Sequence, residues 1–314
     1  MTNSREGASP LISGAMKAGS MDMLRHAIEC GESLNQYEME THSYSIIEML
    51  RSAATKKADS PALSEMLQMG ARCNGIGDFG LSPLLFVLVR WPGDHDGMTA
   101  AVVSLLCAGA DTEQVAPTDL VEMNWTHRHK AQGVCALTLA IQVGNMSAVE
   151  ALLLAGASPD GPNLENVLSP LSVAAMWKEP AMVLLLLKRG AHPNKINYDG
   201  TVPMHHCGDT KTARILFDAG AALSIRDNCD RVPLHEWVER TTDPLPVQWL
   251  GELCPADRFL FDTAKRTPLM TLIERSKQDV TNSLWLCEIV AAWERDYILM
   301  KTDGAKSGSS DRRL

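Results

Sequence analysis

Two adjacent histidines and a cysteine, His205, His206 and Cys207, are the residues that most suggest metal chemistry. Imidazole and thiolate are good zinc ligands, but a structural zinc site needs four ligands that converge on one point. Three consecutive residues do not converge easily from one turn of a helix. No second pair of ligands follows at the spacing of a zinc finger. The sequence therefore predicts no metal site here and a structural role for the histidines.

Residues 75–80 read Gly-Ile-Gly-Asp-Phe-Gly and match the spacing of a dinucleotide-binding loop. Such a loop must follow a strand and open a helix inside a βαβ unit. Here the glycines follow the end of a helical pattern, so they serve a turn. A zinc-protease helix is also absent, because Glu239 stands where the second histidine after His235 would be. The sequence predicts no catalytic residue and no cofactor.

Residues 125–130 read Trp-Thr-His-Arg-His-Lys and place an indole beside four side chains that can carry positive charge. Tryptophan and arginine contribute strongly to many protein interfaces. One interpretation is a solvated loop. The other is a contact with an acidic surface of a partner protein, for which the candidate residues are Trp125, His127, Arg128, His129 and Lys130.

The composition limits the classes of partner. The chain has 314 residues, of which 45% are apolar, and a formal net charge of −9. This charge argues against a nucleic-acid-binding surface. No apolar run reaches the roughly 18 residues of a membrane span, and no signal peptide is recognisable. We predict a cytoplasmic protein, or one delivered into the cytoplasm of a host cell, that binds neither nucleic acid nor membrane.

The elements that carry these motifs recur along the chain. Short helical patterns begin near a proline, and the last four of these prolines are spaced 33, 30 and 35 residues apart; the prolines are Pro10, Pro83, Pro170, Pro203, Pro233 and Pro268. Longer helical patterns end at a glycine, which can adopt the left-handed conformation that stops a helix. These glycines are Gly31, Gly70, Gly109, Gly156, Gly190 and Gly220. Each unit is predicted to hold two helices that bury their apolar faces only by stacking on neighbouring units.

Residues 197–205 (Asn-Tyr-Asp-Gly-Thr-Val-Pro-Met-His) and 227–235 (Asp-Asn-Cys-Asp-Arg-Val-Pro-Leu-His) resemble the ankyrin repeat, as do endings such as Gly109-Ala110-Asp111. The resemblance implies an all-α solenoid of stacked helix-turn-helix units with short hairpin loops. It also implies a non-catalytic role in binding another protein. In this family the histidine at positions 205 and 235 hydrogen-bonds across neighbouring loops and joins one unit to the next.

The repeat pattern predicts the domain organisation. We expect a disordered N-terminus (1–7), an ankyrin array (8–296) and a disordered tail (297–314). The expected units lie near 8–40, 41–76, 77–113, 132–165, 166–197, 198–228, 229–263 and 264–296, with an inserted loop at 114–131. Because insertions in a solenoid lie on its surface and often on its binding side, the inserted loop is a candidate contact.

A second candidate surface lies on the first helices and hairpin tips, which form the concave face of an ankyrin stack. Trp177, Tyr198, Arg226 and Trp237 are predicted to form an aromatic groove there that binds the partner. The alternative is that these indoles fill gaps between irregular units.

Two narrower functions are compatible with the repeats. Diverged repeats with insertions fit a secreted effector that acts on a host protein. Residues 283–291 (Ser-Leu-Trp-Leu-Cys-Glu-Ile-Val-Ala) resemble the start of a box that recruits ubiquitin ligase subunits, which would make the protein a substrate-recognition adaptor. Against the adaptor, the same segment is the natural second helix of the repeat that opens at Thr267.

Overall fold

The structure, a computed structural model, describes residues 10–18, 20–34, 60–74, 81–90, 94–116, 134–162, 167–240, 242–278 and 283–307. The chain divides into two compact units, Met1–Pro170 and Leu171–Leu314. The glycine-rich stretch 75–80 and the predicted disordered N-terminus 1–7 lie outside the described residues.

The described residues are mainly helical, as the sequence predicted. In chain order the α-helices are α1 (Pro10–Ala18), α2 (Met21–Glu29), α3 (Ser60–Gln68), α4 (Pro83–Arg90), α5 (His95–Cys107), α6 (Ala136–Val143), α7 (Met146–Leu154), α8 (Pro170–Met176), α9 (Pro180–Lys188), α10 (Pro203–His206), α11 (Thr210–Asp218), α12 (Pro233–Arg240), α13 (Pro244–Leu253), α14 (Pro268–Gln278) and α15 (Ser283–Ser307). A 3-10 helix spans Pro255–Phe259. In the part of the chain described above, no helix has the length and apolar character needed to cross a membrane.

The helix boundaries follow the predicted signals. Six first helices begin at the predicted prolines. The Ser82 hydroxyl accepts a hydrogen bond from the Leu85 amide at 3.3 Å, and that of Thr267 accepts one from the Met270 amide at 3.2 Å. The six predicted helix-ending glycines all have φ between +86° and +98°. The glycine stop is therefore confirmed in each of these repeats.

The core lies between the paired helices. The residue four positions before each terminal glycine is buried; these residues are Ala27, Met66, Leu105, Leu152, Leu186 and Leu216. In the Leu171–Leu314 unit, first helices pack on first helices, as α10 does on α12 and α12 on α14. Second helices pack on second helices, as α9 does on α11 and α11 on α13. This pattern is the stacking expected of helical repeats, in which each unit covers the apolar face of the next.

A polar side chain after the helix-ending glycine fixes the spacing of some successive repeats. Asn194 accepts from the Ala222 amide at 2.7 Å and donates to the Gly220 carbonyl at 3.0 Å. Asn74 makes the same two contacts with Asp111 and Gly109, each at 2.7 Å. The next repeat is thus held by hydrogen bonds as well as by apolar burial.

A short antiparallel ladder closes the base of the predicted insertion. Val115 pairs with Cys135 and Ala116 with Val134. The paired strands therefore bring the chain that follows α5 next to the chain directly before α6. The residues between the two strands, 117–133, lie outside the described part of the chain.

Two departures from the regular repeat occur in the Leu171–Leu314 unit. Helix α10 has only 4 residues, whereas α12, the first helix of the following repeat, has 8. At the other end, α15 continues to Ser307, so the predicted start of a disordered tail at residue 297 differs from the structure. The extra turns are supported by Tyr297, whose ring lies 5.1 Å from that of Phe259.

Candidate protein-binding surface

Three successive hairpin loops of the Leu171–Leu314 unit share one geometry. A backbone hydrogen bond closes each loop: Asn197 to Thr201 at 2.8 Å, Asp227 to Arg231 at 2.9 Å and Asp262 to Arg266 at 2.9 Å. The fourth residue of each loop has positive φ, at +80° for Gly200, +58° for Asp230 and +61° for Lys265. We call these three loops the hairpin row.

Backbone hydrogen bonds join the loops of the hairpin row to one another. The Asn228 amide donates to the Asp199 carbonyl at 3.0 Å, and its side-chain amide donates to the Tyr198 carbonyl at 3.2 Å. The Thr263 amide donates to the Cys229 carbonyl at 3.0 Å. Because each loop is bonded to the next, the side chains on the row have a fixed spacing.

The side chains of His205 and His235 also join neighbouring repeats next to these loops. In each, Nδ1 accepts from a backbone amide of its own repeat, Val202 at 3.1 Å and Val232 at 3.2 Å. The Nε2–H group donates to a carbonyl of the next repeat, Arg231 at 3.0 Å and Leu260 at 3.1 Å. Both ring nitrogens are thus used by the backbone. This arrangement confirms the predicted structural role of the two histidines.

The neighbouring polar residues form a separate buried cluster. His206 Nε2 lies 2.8 Å from the Thr201 hydroxyl, which donates to the Asp199 carboxylate at 2.6 Å. Cys207 is also buried. No group of three or more potential metal ligands occurs in the residues that the structure describes.

Acid is expected to loosen the hairpin row. Burial lowers the pKa of both His205 and His235 below the usual histidine value of 6.5. The unfolded chain therefore binds more protons, so the stabilisation is complete above about pH 6.5 and is lost as the pH falls through that value towards the folded pKa. Thermal denaturation between pH 7.5 and 5.5 should show a falling Tm.

The control for this prediction is His205→Gln/His235→Gln, which cannot titrate at these positions. The double variant should be less stable at pH 7.5 and should lose less stability on acidification than the natural chain. Equal pH slopes for the two proteins would contradict a role for these imidazoles.

Four exposed side chains project from the hairpin row, whose loops are joined by hydrogen bonds. Ile196 is 64% exposed and Phe261 is 52% exposed; each directly precedes the first residue of its loop. Arg226 occupies the same position in the middle loop, and Tyr198 is 43% exposed. These four residues define what we call the row surface. The sequence prediction named Tyr198 and Arg226 but missed Ile196 and Phe261.

Of the four residues predicted to form an aromatic groove, Trp177, Tyr198 and Arg226 are exposed and Trp237 is buried. Trp177, which follows α8, is 47% exposed and available for contact. Trp237 is only 2% exposed, so its assignment to a partner-binding groove is wrong. Its indole N–H donates to the Met204 carbonyl at 2.9 Å, and its ring stacks on Trp249 at 6.3 Å. Trp237 fills space beside the short helix α10, as the gap-filling alternative proposed.

A network of ion pairs supports the row from α12. Arg231 contacts Glu236 and Glu239, each at 2.8 Å, and Arg240 contacts Glu236 at 2.5 Å. Arg266 of the next loop lies 3.6 Å from Glu239. Burial raises the pKa of Glu236 despite the two arginines. The network ties two loops of the row to one helix.

The other predicted site residues, Trp125, His127, Arg128, His129 and Lys130, lie outside the described part of the chain.

Comparisons with known proteins bear on the fold. No protein-family model and no curated protein sequence matches the chain. Among solved structures, the ankyrin repeat domain of human ASB11 is similar, with a TM-score of 0.51 and 20% sequence identity. The match covers 78% of this chain and 97% of that domain. The helix pairs, the glycine stops, the histidine bonds and this similarity together show that the chain has the ankyrin-repeat fold.

Proposed function

We propose that the protein is a non-catalytic module that binds another protein through the row surface. The observation that carries this proposal is the exposure of Ile196, Tyr198 and Phe261 on or next to loops that backbone hydrogen bonds close and join to one another. Exposed apolar side chains grouped on one surface are typical of interaction sites. Tyrosine and arginine are also enriched among the residues that dominate interface energetics.

The fixed backbone of the row favours binding. A surface that is already ordered loses little conformational entropy when a partner docks. The hydrogen bonds from Asn228 and Thr263 hold the three loops in register before any partner arrives. The proposed partner surface therefore needs no folding step on this side of the interface.

The inserted loop is a second proposed contact. The predicted insertion at 114–131 begins at the first of the paired strands, Val115–Ala116, and the second, Val134–Cys135, follows it in the sequence. The basic and aromatic residues 125–130 on this insertion fit an acidic patch on the partner protein. The net charge of −9 favours such a protein over nucleic acid.

Quantitative affinity capture tests the row surface. The full chain, Ile196→Ser/Phe261→Ser and the matched variant Leu184→Ser/Phe217→Ser are used as baits in one lysate. Leu184 and Phe217 are each 42% exposed but lie on the second helices α9 and α11. We expect the first double variant to capture at least about tenfold less of one specific partner protein than the natural chain does. A tenfold loss of affinity corresponds to about 1.4 kcal/mol of binding free energy.

The control bait should retain the partner. Circular dichroism checks that both double variants are folded. Equal losses for both would assign binding to general apolar exposure, and loss only in Leu184→Ser/Phe217→Ser would place the partner on the second helices. Either result would contradict the proposal.

The narrower hypotheses concern where the module acts. The first hypothesis is that the protein is a secreted effector that acts on a host protein in the host cytoplasm. A translocation assay with the full chain tests it. The alternative is an adaptor of a ubiquitin ligase, tested by capture of ligase scaffold proteins. Against the adaptor, Leu286 and Ile289 of its proposed box are buried.

A further inference from the structure

The middle loop of the hairpin row holds an arginine in one orientation. Arg226 Nη1 donates to the Asp230 carbonyl at 3.1 Å and to the Phe261 carbonyl at 3.3 Å. These two bonds connect adjacent loops through a single guanidinium nitrogen. The side chain is nevertheless 41% exposed. Arg226 is therefore anchored at one nitrogen and open to solvent elsewhere.

The open part of the guanidinium is its bidentate edge. Nε and Nη2 of Arg226 have no hydrogen-bond acceptor within the described residues, whose contacts to this side chain are all made by Nη1. Two parallel N–H groups of this kind match the two oxygens of a carboxylate or a phosphate. Because the side chain is already fixed, less rotamer entropy is lost when such a group binds.

The charge around Arg226 favours a single negative charge on the bound group. The Asp230 carboxylate lies 3.8 Å from Nη1, and the Asp257 carboxylate also interacts electrostatically with Arg226, so that part of its charge is neutralised. Asp199 and Asp227 lie in the same row, where their carboxylates accept backbone hydrogen bonds. The second negative charge of a phosphate would meet a guanidinium whose charge the neighbouring carboxylates already offset, so it would gain little attraction and would face the carboxylates of the row. The carboxylate is thus the better match.

Apolar residues flank Arg226 along the row. Ile196 and Tyr198 lie on the preceding loop and Phe261 on the following one, and all are exposed. An extended peptide that crosses successive loops places every second side chain on one face. A carboxylate on that face would meet Arg226, and apolar side chains two positions away would meet the neighbouring loops.

We propose that the row surface binds an extended segment of a partner protein in which an aspartate or glutamate pairs with Arg226 between two apolar side chains. This inference rests on the proposed function and specifies its partner. Arg226 supplies the charge selectivity, and Ile196, Tyr198 and Phe261 supply the apolar contact area.

Binding of defined synthetic peptides tests this inference on the full chain. Three pools share an extended sequence with leucine, phenylalanine or tryptophan two positions on either side of the centre. The centre is glutamate or aspartate in the first pool, glutamine or asparagine in the second and phosphoserine in the third. We expect the acidic pool to bind about tenfold more tightly than the amide pool, as a charge-assisted hydrogen-bonded pair would give.

Variants assign the preference to one residue. Arg226→Gln should bind the acidic and amide pools equally, whereas Arg214→Gln, an exposed arginine on α11, should keep the natural ratio. Phe261→Ser should weaken both pools and leave their ratio unchanged. If Arg226→Gln does not fold, Arg226→Lys takes its place and should lose most of the ratio, because lysine has no bidentate edge.

Several results would overturn the inference. These are no detectable binding of the acidic pool, equal binding of the acidic and amide pools by the natural chain, an unchanged ratio in the Arg226 variant, and tighter binding of the phosphoserine pool. A captured partner protein that depends on Ile196 and Phe261 but not on Arg226 would remove this inference and leave the proposed function standing.

Discussion

Trp237→Ala is expected to lower the free energy of unfolding of the Leu171–Leu314 unit by about 3–5 kcal/mol, the usual loss for removing a buried indole. Three interactions are lost together: the apolar burial, the stacking on Trp249 and the hydrogen bond to the Met204 carbonyl. That carbonyl belongs to the short helix α10, and its other backbone partner, the Cys207 amide, lies at the longer distance of 3.4 Å. Urea denaturation followed by circular dichroism measures the loss.

Trp177→Ala is the matched control, because this tryptophan in the same unit is half exposed. Its expected loss is below about 1 kcal/mol. Trp237→Phe separates packing from hydrogen bonding and should fall between the two. Equal losses for Trp177→Ala and Trp237→Ala would show that Trp237 does not fill the space beside α10.

Gly200→Ala is expected to cost about 3 kcal/mol, of which roughly half comes from backbone strain and half from overpacking. Gly200 has φ of +80°, a conformation that side chains with a Cβ rarely adopt. An added Cβ would also lie 2.6 Å from the Asn228 backbone nitrogen. Since Asn228 bonds to the Asp199 carbonyl, the substitution should disturb the first junction of the hairpin row.

Gly190→Ala separates the two causes. Gly190 has φ of +95°, but nothing lies within 4 Å of an added Cβ. The expected loss is about 1 kcal/mol from strain alone. Denaturation of both variants gives the difference, and the Gly200 variant should also lose affinity for the captured partner protein. Losses of the same size would contradict the close approach of the first two loops.

Local signals in the sequence predicted the repeats well. Proline at the start of the first helices, glycine at the end of the second helices and histidine at positions 205 and 235 each act within one repeat or across one junction. A single repeat therefore carries enough information to predict them. The helix-ending glycines have the left-handed backbone that the pattern required.

The side chains of one repeat that fill space beside another were harder to predict. The spacing of 30 residues between Pro203 and Pro233 indicates a shortened unit, but it does not say what fills the space. Trp237 fills it from the next repeat, so an indole expected on the surface is buried. The end of α15 is a similar case, because its support by Phe259 comes from a ring distant in sequence.

Alignment of the repeats in the sequence locates the positions of the row surface. Ile196, Arg226 and Phe261 each precede the residue that closes a hairpin loop, so alignment of the three repeats places them together. Their types differ, however, and no residue pattern marks them. They differ from core positions because their side chains are exposed while hydrogen bonds hold the backbone of their loops. The residue types alone do not show this.

Site-specific photo-crosslinking shows whether the partner protein lies against the hairpin row. A photoreactive phenylalanine analogue replaces Phe261 on the row surface or, as the control, Phe217 on α11, and the full chain is irradiated with the captured partner protein. We expect a covalent adduct with the partner from position 261 and none from position 217. An adduct only from position 217, or from neither position while the partner remains bound, would contradict binding through the hairpin row.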